Sequence, residues 1–355
     1  MELKALGLSN WFRDRIRGTM LEDYQLARIS AVDKESYIII GVSGECRAEL
    51  TGKIMYAAGS PIDYPTVGDW VYVQYFDENT FAVIHEIVPR RTLLKRKTPG
   101  KAVDIQLIAA NIDTALIVQS LDSNFNLQRL ERYLVVARES SILPVILLSK
   151  SDLVSEGHIN ARLKEISKRL PDVIVVSFSN LSGDMSEIRE MLIEGETFCL
   201  LGSSGVGKTT LLNNLLGEET YETRTVREKD DKGRHTTARR QLTILDNGAI
   251  IIDTPGMREL GAFDVEAGIE STFTGIAELS RSCRFTDCSH TQETGCSVLS
   301  ALEDGRIERK QYENYIKMVR ESRHYSMSYH EKRKKDKDFG KMVRTVKKIK
   351  DNKIK

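Results

Sequence analysis

The sequence predicts a multidomain chain: an N-terminal OB-type β-barrel, a central α/β P-loop domain, and a C-terminal helical region around a metal-binding cluster. Three observations carry this. Short strands punctuated by Gly, Asp and Pro follow one another from Tyr24 to Val88. From Asp113 onward apolar strands alternate with helical stretches and hold Gly202-Ser203-Ser204-Gly205-Val206-Gly207-Lys208-Thr209. Beyond Gly261 a helical, polar segment contains Cys283, Cys288, His290 and Cys296.

A chain of 355 residues exceeds one compact domain. The expected division is an arm at 1–22, the barrel at 23–92, the P-loop domain at 93–260, the helical metal region at 261–330 and a basic tail at 331–355. The composition, 41% hydrophobic and 29% charged, suits real cores under a charged surface. No apolar run reaches the roughly 18 residues of a membrane helix, so no membrane is expected. The N-terminus lacks a signal peptide's apolar middle, because Trp11-Phe12 is followed at once by Arg13, Asp14 and Arg15. A cytoplasmic monomer is expected.

In the barrel region the strands read as Tyr37–Ile40, Cys46–Leu50, Val67–Val73 and Phe81–Ile84. About 65 residues suit a five-stranded OB barrel, a frequent oligonucleotide-binding scaffold. The alternative to that use is a barrel that binds protein or only packs against its neighbour. A basic connector follows with Arg90, Arg91, Lys95, Arg96, Lys97 and Lys101. Residues 331–355 carry twelve Lys/Arg against four Asp/Glu, although the whole chain is only +1. That tail is either a surface for an anionic partner or a solvated extension.

The central strands read as Thr114–Val118, Val145–Leu148, Val173–Val176 and Phe198–Leu201, continuous apolar runs of a parallel sheet covered on both faces. Gln241–Leu245 and Ala249–Ile252, split by Asp246-Asn247-Gly248, read as an added hairpin. Residues 202–209 fit G-x-x-x-x-G-K-[ST], a match expected by chance on the order of one per cent of the time in such a chain. Glycines let backbone N–H groups surround phosphate, and the helix N-terminus adds positive potential. Gly202, Ser203, Ser204, Gly205, Val206, Gly207, Lys208, Thr209 and Thr210 are thus expected to hold the nucleotide. Lys208 neutralises the β- and γ-phosphates, and Thr209 offers its hydroxyl to magnesium. Asp253-Thr254-Pro255-Gly256 ends the apolar strand Ile250–Ile252. Asp253 is expected at magnesium and Gly256 at the γ-phosphate. Between these motifs Thr236 and Thr237 are candidates to bind magnesium only while the γ-phosphate is present.

Ser149-Lys150-Ser151-Asp152 stands where GTPases carry Asn-Lys-x-Asp. A carboxylate at Asp152 accepts from N1–H and the 2-amino group of guanine, donors that adenine lacks. The stem of Lys150 covers the base. The tetrapeptide alone also serves as a helix cap. This base motif precedes the P-loop by some fifty residues, the reverse of the usual order, so the domain reads as a circularly permuted GTPase. Met257 follows D-x-x-G where many GTPases place a water-orienting Gln. Slow intrinsic turnover is expected, with His235 the candidate to orient water once a partner orders its loop; an exposed loop histidine is the alternative.

Cys283-x4-Cys288-x-His290-x5-Cys296 supplies three thiolates and an imidazole within fourteen residues, a complete set for closed, structural tetrahedral zinc. Arg281 and Arg284 beside it, with the tail, suggest an RNA-facing surface. Cys46 and Cys199 read as small buried hydrophobes.

Together the barrel word Val67-Gly68-Asp69-Trp70-Val71, Gly202 to Thr209, Gly233-Arg234-His235-Thr236-Thr237, Asp253 to Gly256 and the Cys₃His set resemble the ribosome small-subunit-dependent GTPase A family across nearly the whole chain. The resemblance implies an OB fold and GTP hydrolysis to GDP stimulated by the small ribosomal subunit. It also implies rRNA contact and a role in that subunit's late maturation. Ser149 departs from the family's Asn, and Ser177-Phe178-Ser179 matches poorly the loop that completes the base pocket. The residues alone leave open an ATP-using P-loop enzyme acting on a small molecule, or a nucleotide-gated RNA-binding scaffold.

Overall fold

The computed structural model describes residues 2–33, 36–97, 105–181, 185–217, 240–254 and 265–326. His235, Thr236, Thr237, Gly256, Met257 and the basic tail lie outside them.

The N-terminal arm forms short turns, including α1 (Asn10–Arg13) and α2 (Gly18–Leu21). It is not loose, because Leu6, Leu8 and Phe12 bury themselves against Trp70, Tyr72 and Val88. The barrel comprises β1 (Gln25–Val32), β2 (Tyr37–Gly41), β3 (Gly44–Leu50), β4 (Trp70–Phe76) and β5 (Phe81–Ile87). It runs in the order β1-β2-β3-β5-β4 and is closed by antiparallel β4–β1 pairing. The β3–β5 pair is parallel and the others are antiparallel. Alternation fills the interior with Ala27, Ile29, Ile39, Ala48, Val71, Val73, Ala82 and Ile84. A short helix, α3 (Gly52–Ala57), bridges β3 to β4, its first turn capped by Thr51 Oγ1 accepting from Ile54 N.

A buried arginine joins the pieces. Arg28 on β1 donates to the carbonyls of Leu6 (2.6 Å), Gly68 (3.1 Å) and Asn111 (3.2 Å) and to Thr197 Oγ1 (2.9 Å). The arm, the barrel and the central sheet thus share one cation. Burial lowers its guanidinium to about 9, with Asp69 opposing the shift. The turn Gly68-Asp69 needs its glycine: φ is +92°, and a Cβ there would lie 2.1 Å from Ala110 O. Asp69 is fully buried and binds Arg90 through both oxygens at 2.8 Å. The basic connector is therefore no bare linker. β6 (Leu93–Lys97) pairs with β7 (Ile105–Ala110), Leu94 is buried, and Arg96 donates to Gln106.

The central domain follows with β8 (Thr114–Ser120), α4 (Leu127–Glu139), β9 (Leu143–Ser149), α5 (Glu156–Arg169), β10 (Ile174–Ser177), α6 (Ser186–Met191), β11 (Thr197–Leu201), α7 (Lys208–Leu216), β12 (Gln241–Ile244) and β13 (Ile250–Asp253). The sheet order is β10-β9-β8-β11-β13-β12, parallel except for β12. Apolar cores cover both faces, as the continuous apolar strands require. One bridge, Ala31 to Gln241, continues this sheet into the barrel.

The C-terminal region packs α8 (Glu266–Thr272), α9 (Thr274–Ser280), α10 (Ser297–Glu303) and α11 (Arg309–Ser326) around Phe273, Ile276, Val298, Ala301 and Met318. It docks on α4. Gly268 lies so close that a Cβ would meet Val135 O at 2.1 Å, and its N–H donates to Glu139 Oε2 at 2.7 Å. Arg132 forks onto Glu321 at 2.6 and 3.0 Å.

Candidate nucleotide site and metal centre

Five parallel strands end on one side of the sheet, and each ends in a candidate residue: β8 near Asp122, β9 at Ser149, β10 at Ser177, β11 at Gly202 and β13 at Asp253. Ligands of open α/β sheets bind outside such carboxyl ends.

The phosphate loop leaves β11 with Gly202 at φ +148°, where a Cβ would sit 2.3 Å from Val118 O. Gly205 and Gly207 also have positive φ, and Gly207 caps α7. Val206 is fully buried and anchors the loop in the core, while Ser204 and Gly205 face outward. Lys208 Nζ donates to the carbonyls of Gly202 and Ser203, both at 2.8 Å, and so curls over its own loop. Ser203 Oγ is buried without a hydrogen-bond partner, an orphan that a phosphate oxygen would satisfy. Thr209 and Thr210 open α7 and are half-buried. Burial pushes the Asp253 carboxyl above its ordinary range, and the ammonium of Lys208 pulls it back. A half-buried acid in a lysine's field, at the end of a strand beside the phosphate loop, is a fitting donor for a divalent cation. Thr254, fully buried, donates to Leu200 O at 2.6 Å and locks β13 to β11.

Ser149 has a part the motif did not suggest. It is fully buried, and its hydroxyl donates to Val206 O at 2.6 Å, so it fastens the base loop to the phosphate loop rather than facing a base. Lys150 takes a left-handed backbone (φ +61°), and its Nζ pairs with Asp122 Oδ2 at 2.8 Å. Against the burial that would raise it, hydrogen bonds from Lys150, Asn124 and Ser120 hold the Asp122 carboxyl below its ordinary range. Asp152 accepts a short hydrogen bond from Ser179 Oγ, and Ser151 N donates to Phe178 O at 3.1 Å. Asn180 Nδ2 donates to Gly207 O at 3.2 Å. The poorly matching 177–180 loop thus does sit at the site. Asp122 and Asn180 were not legible in sequence, because their partners lie 28 and 27 residues away.

In the C-terminal region the donor atoms of Cys283, Cys288, His290 and Cys296 all lie within 4.8 Å of one another. Zinc with sulfur at about 2.3 Å and nitrogen at about 2.05 Å has tetrahedral edges of about 3.8 Å (S–S) and about 3.6 Å (S–N). The cluster has Cys283 Sγ–Cys296 Sγ at 3.8 Å, Cys283 Sγ–His290 Nδ1 at 3.6 Å and His290 Nδ1–Cys296 Sγ at 3.4 Å. The edges among Cys283, His290 and Cys296, and the donor chemistry of all four residues, fit tetrahedral zinc. Leu299 N at the start of α10 also points at Cys296 Sγ, as suits a thiolate. Glu293 clips the loop by accepting from Ser289, Thr291 and Gln292 N–H groups.

A family model described as RsgA GTPase matches residues 87–263. A second, described as ABC transporter, matches residues 185–353. The two overlap over 185–263, which holds the phosphate loop. The chain is 40% identical over 356 aligned positions, 99% of each chain, to small ribosomal subunit biogenesis GTPase RsgA 1 of Bacteroides thetaiotaomicron. It is 38% identical over 332 positions, 90% of each chain, to small ribosomal subunit biogenesis GTPase RsgA of Opitutus terrae. Among solved structures, YjeQ from Thermotoga maritima aligns with a TM-score of 0.61 at 25% identity, covering 83% of this chain and 97% of that one. YloQ, titled a circularly permuted GTPase, aligns with a TM-score of 0.60 at 22% identity, covering 88% and 100%; it speaks to the fold.

Proposed function

The chain belongs to the RsgA GTPase family, and from that premise we propose that it hydrolyses GTP to GDP and phosphate on the small ribosomal subunit, contacts its rRNA and assists its late maturation. The observation that carries the reading is the Ser149–Val206 hydrogen bond at 2.6 Å. It holds a base-reading loop and a phosphate loop as one cradle in spite of their permuted order. Nucleotide specificity then falls to Asp152, whose carboxylate accepts from guanine, with the Lys150 stem over the base and Asp122 fixing its head group.

In the reaction, a water oxygen bonds to the γ-phosphorus as the β–γ bridging P–O bond breaks. The proton leaves with inorganic phosphate, and GDP keeps the bridging oxygen. Lys208 and the N–H groups of residues 203–208 stabilise the charge that gathers on the phosphate oxygens. Thr209 and Asp253, with a switch threonine, Thr236 or Thr237, would hold magnesium, which would supply further neutralisation of that charge. His235 is the proposed water-orienting group and needs the partner to bring it into place. Zinc at Cys283, Cys288, His290 and Cys296 is structural. The tail at 331–355 and the arginines near the zinc loop supply cations for rRNA phosphate. No described helix is long and apolar enough to cross a membrane, and the chain is proposed to work in the cytoplasm as a monomer.

Asp152→Asn tests the base assignment. An amide presents an acceptor oxygen on one side and a donor nitrogen on the other, which suits the 2-carbonyl of xanthine rather than the 2-amino group of guanine. GTP turnover at limiting substrate should fall by about 10²-fold, and xanthosine triphosphate should become the better substrate. An unchanged preference for GTP would remove Asp152 from the base site. Equal use of ATP by the unaltered chain would favour a small-molecule P-loop enzyme.

A further inference from the structure

We infer that Asn180 is a positioning residue for guanine-nucleotide binding, sharing with Ser149 the task that one asparagine at position 149 would perform alone; this rests on the GTP reading of the site above.

Two consecutive carbonyls of the phosphate loop receive side chains from the base side. Val206 O accepts from Ser149 Oγ at 2.6 Å, and Gly207 O accepts from Asn180 Nδ2 at 3.2 Å. A serine hydroxyl has a single donor, and Ser149 spends it on Val206; an amide has two. At position 149 the chain therefore carries half of the donors that the Asn-Lys-x-Asp motif would bring. The amide that reaches the neighbouring carbonyl comes instead from the loop after β10.

Asn180 is well placed to fix distance. Its neighbour Ser179 donates to Asp152, Leu181 N donates to Ser179 Oγ at 3.0 Å, and Ser151 N donates to Phe178 O at 3.1 Å. The 178–181 segment thus moves with the base-reading carboxylate. On its other side, Asn214 Nδ2 of α7 donates to Asn180 O at 3.0 Å. Arg189 of α6 in turn donates to Asn214 O at 2.7 Å. Asn180 therefore ties the Asp152 loop to the start of α7 through its side-chain amide nitrogen, and to the end of α7 through its backbone carbonyl and, at 3.4 Å, its side-chain oxygen. A Cβ on Gly207 would lie 2.7 Å from Asn180 Nδ2, so that glycine keeps the contact open. A guanine nucleotide spans both loops, so its affinity depends on their separation; phosphate-only contacts do not.

The test uses the full chain with magnesium and titrates a fluorescent N-methylanthraniloyl GDP, with the corresponding ADP as control. Asn180→Ala should weaken GDP by about fivefold to tenfold, the loss expected from the Gly207 hydrogen bond together with the long one from Asn214. ADP should be unchanged, so GDP-over-ADP selectivity falls by the same factor. The melting temperature without nucleotide should stay at the wild-type value. Ser149→Asn in the Asn180→Ala background should recover most of the loss. Binding of GDP by Asn180→Ala within twofold of wild type overturns the inference, whether or not the double variant folds. Equal weakening of GDP and ADP, or a folded double variant without recovery, overturns it too. A wild-type chain that does not prefer GDP to ADP refutes the reading of the site itself, and this inference with it.

Discussion

Replacing Lys208 by alanine is expected to lower GTP hydrolysis by about 10²–10³-fold, the cost of removing one preorganised charge-stabilising donor. The ammonium is already in place before any ligand arrives, held at 2.8 Å by the carbonyls of Gly202 and Ser203. Binding phosphate exchanges those two neutral acceptors for anionic ones, and the attraction grows as charge moves onto the γ-phosphate oxygens. The fold should hardly notice, because Val206, Leu211 and Leu212 carry the loop and helix into the core while Lys208 is only half-buried. The check is turnover with saturating GTP alongside a thermal melt. A variant with wild-type turnover would remove Lys208 from the chemistry, and a collapsed melting curve would make its role structural.

Loss of the zinc site should be as large in its own domain. Cys288 and Cys296 belong to the C-terminal core, together with Phe273, Ile276, Val298 and Met318. In Cys288→Ser, zinc content is expected to drop from about one per chain to near zero. Residues 266–326 should become sensitive to protease, since metal binding and folding are linked in such sites by several kcal/mol. GDP binding should stay within about threefold, because the cores on the two faces of the central sheet do not draw on the zinc ligands. Elemental analysis with limited proteolysis reads both. A protected C-terminal region in zinc-free protein would show that helix packing alone sustains it.

The features legible in sequence were those whose cause is local. The spacing of residues 202–209 and of the Cys₃His set carries its own chemistry, and the apolar runs at 114–118, 145–148 and 198–201 became β8, β9 and β11. β1 was harder to read, since Arg28 and Ser30 alternate with Ala27, Ile29 and Ala31 as a solvated face would, yet both are buried. That cation is tolerable inside only because Leu6, Gly68, Asn111 and Thr197, up to 169 residues away, accept its hydrogen bonds. β6 reads in sequence only as a basic connector because Lys95, Arg96 and Lys97 dominate it; its partner β7 supplies the reason for the strand. Ser149 looked like a defect in a base-reading motif, and its actual partner, Val206, lies 57 residues further along.

The most direct measurement is hydrolysis of GTP and of ATP, each with and without purified small ribosomal subunits. Slow turnover alone and strong stimulation by subunits with GTP only are expected, with the stimulation lost in His235→Ala. Equal use of ATP, or turnover that subunits leave unchanged, would contradict a subunit-dependent GTPase.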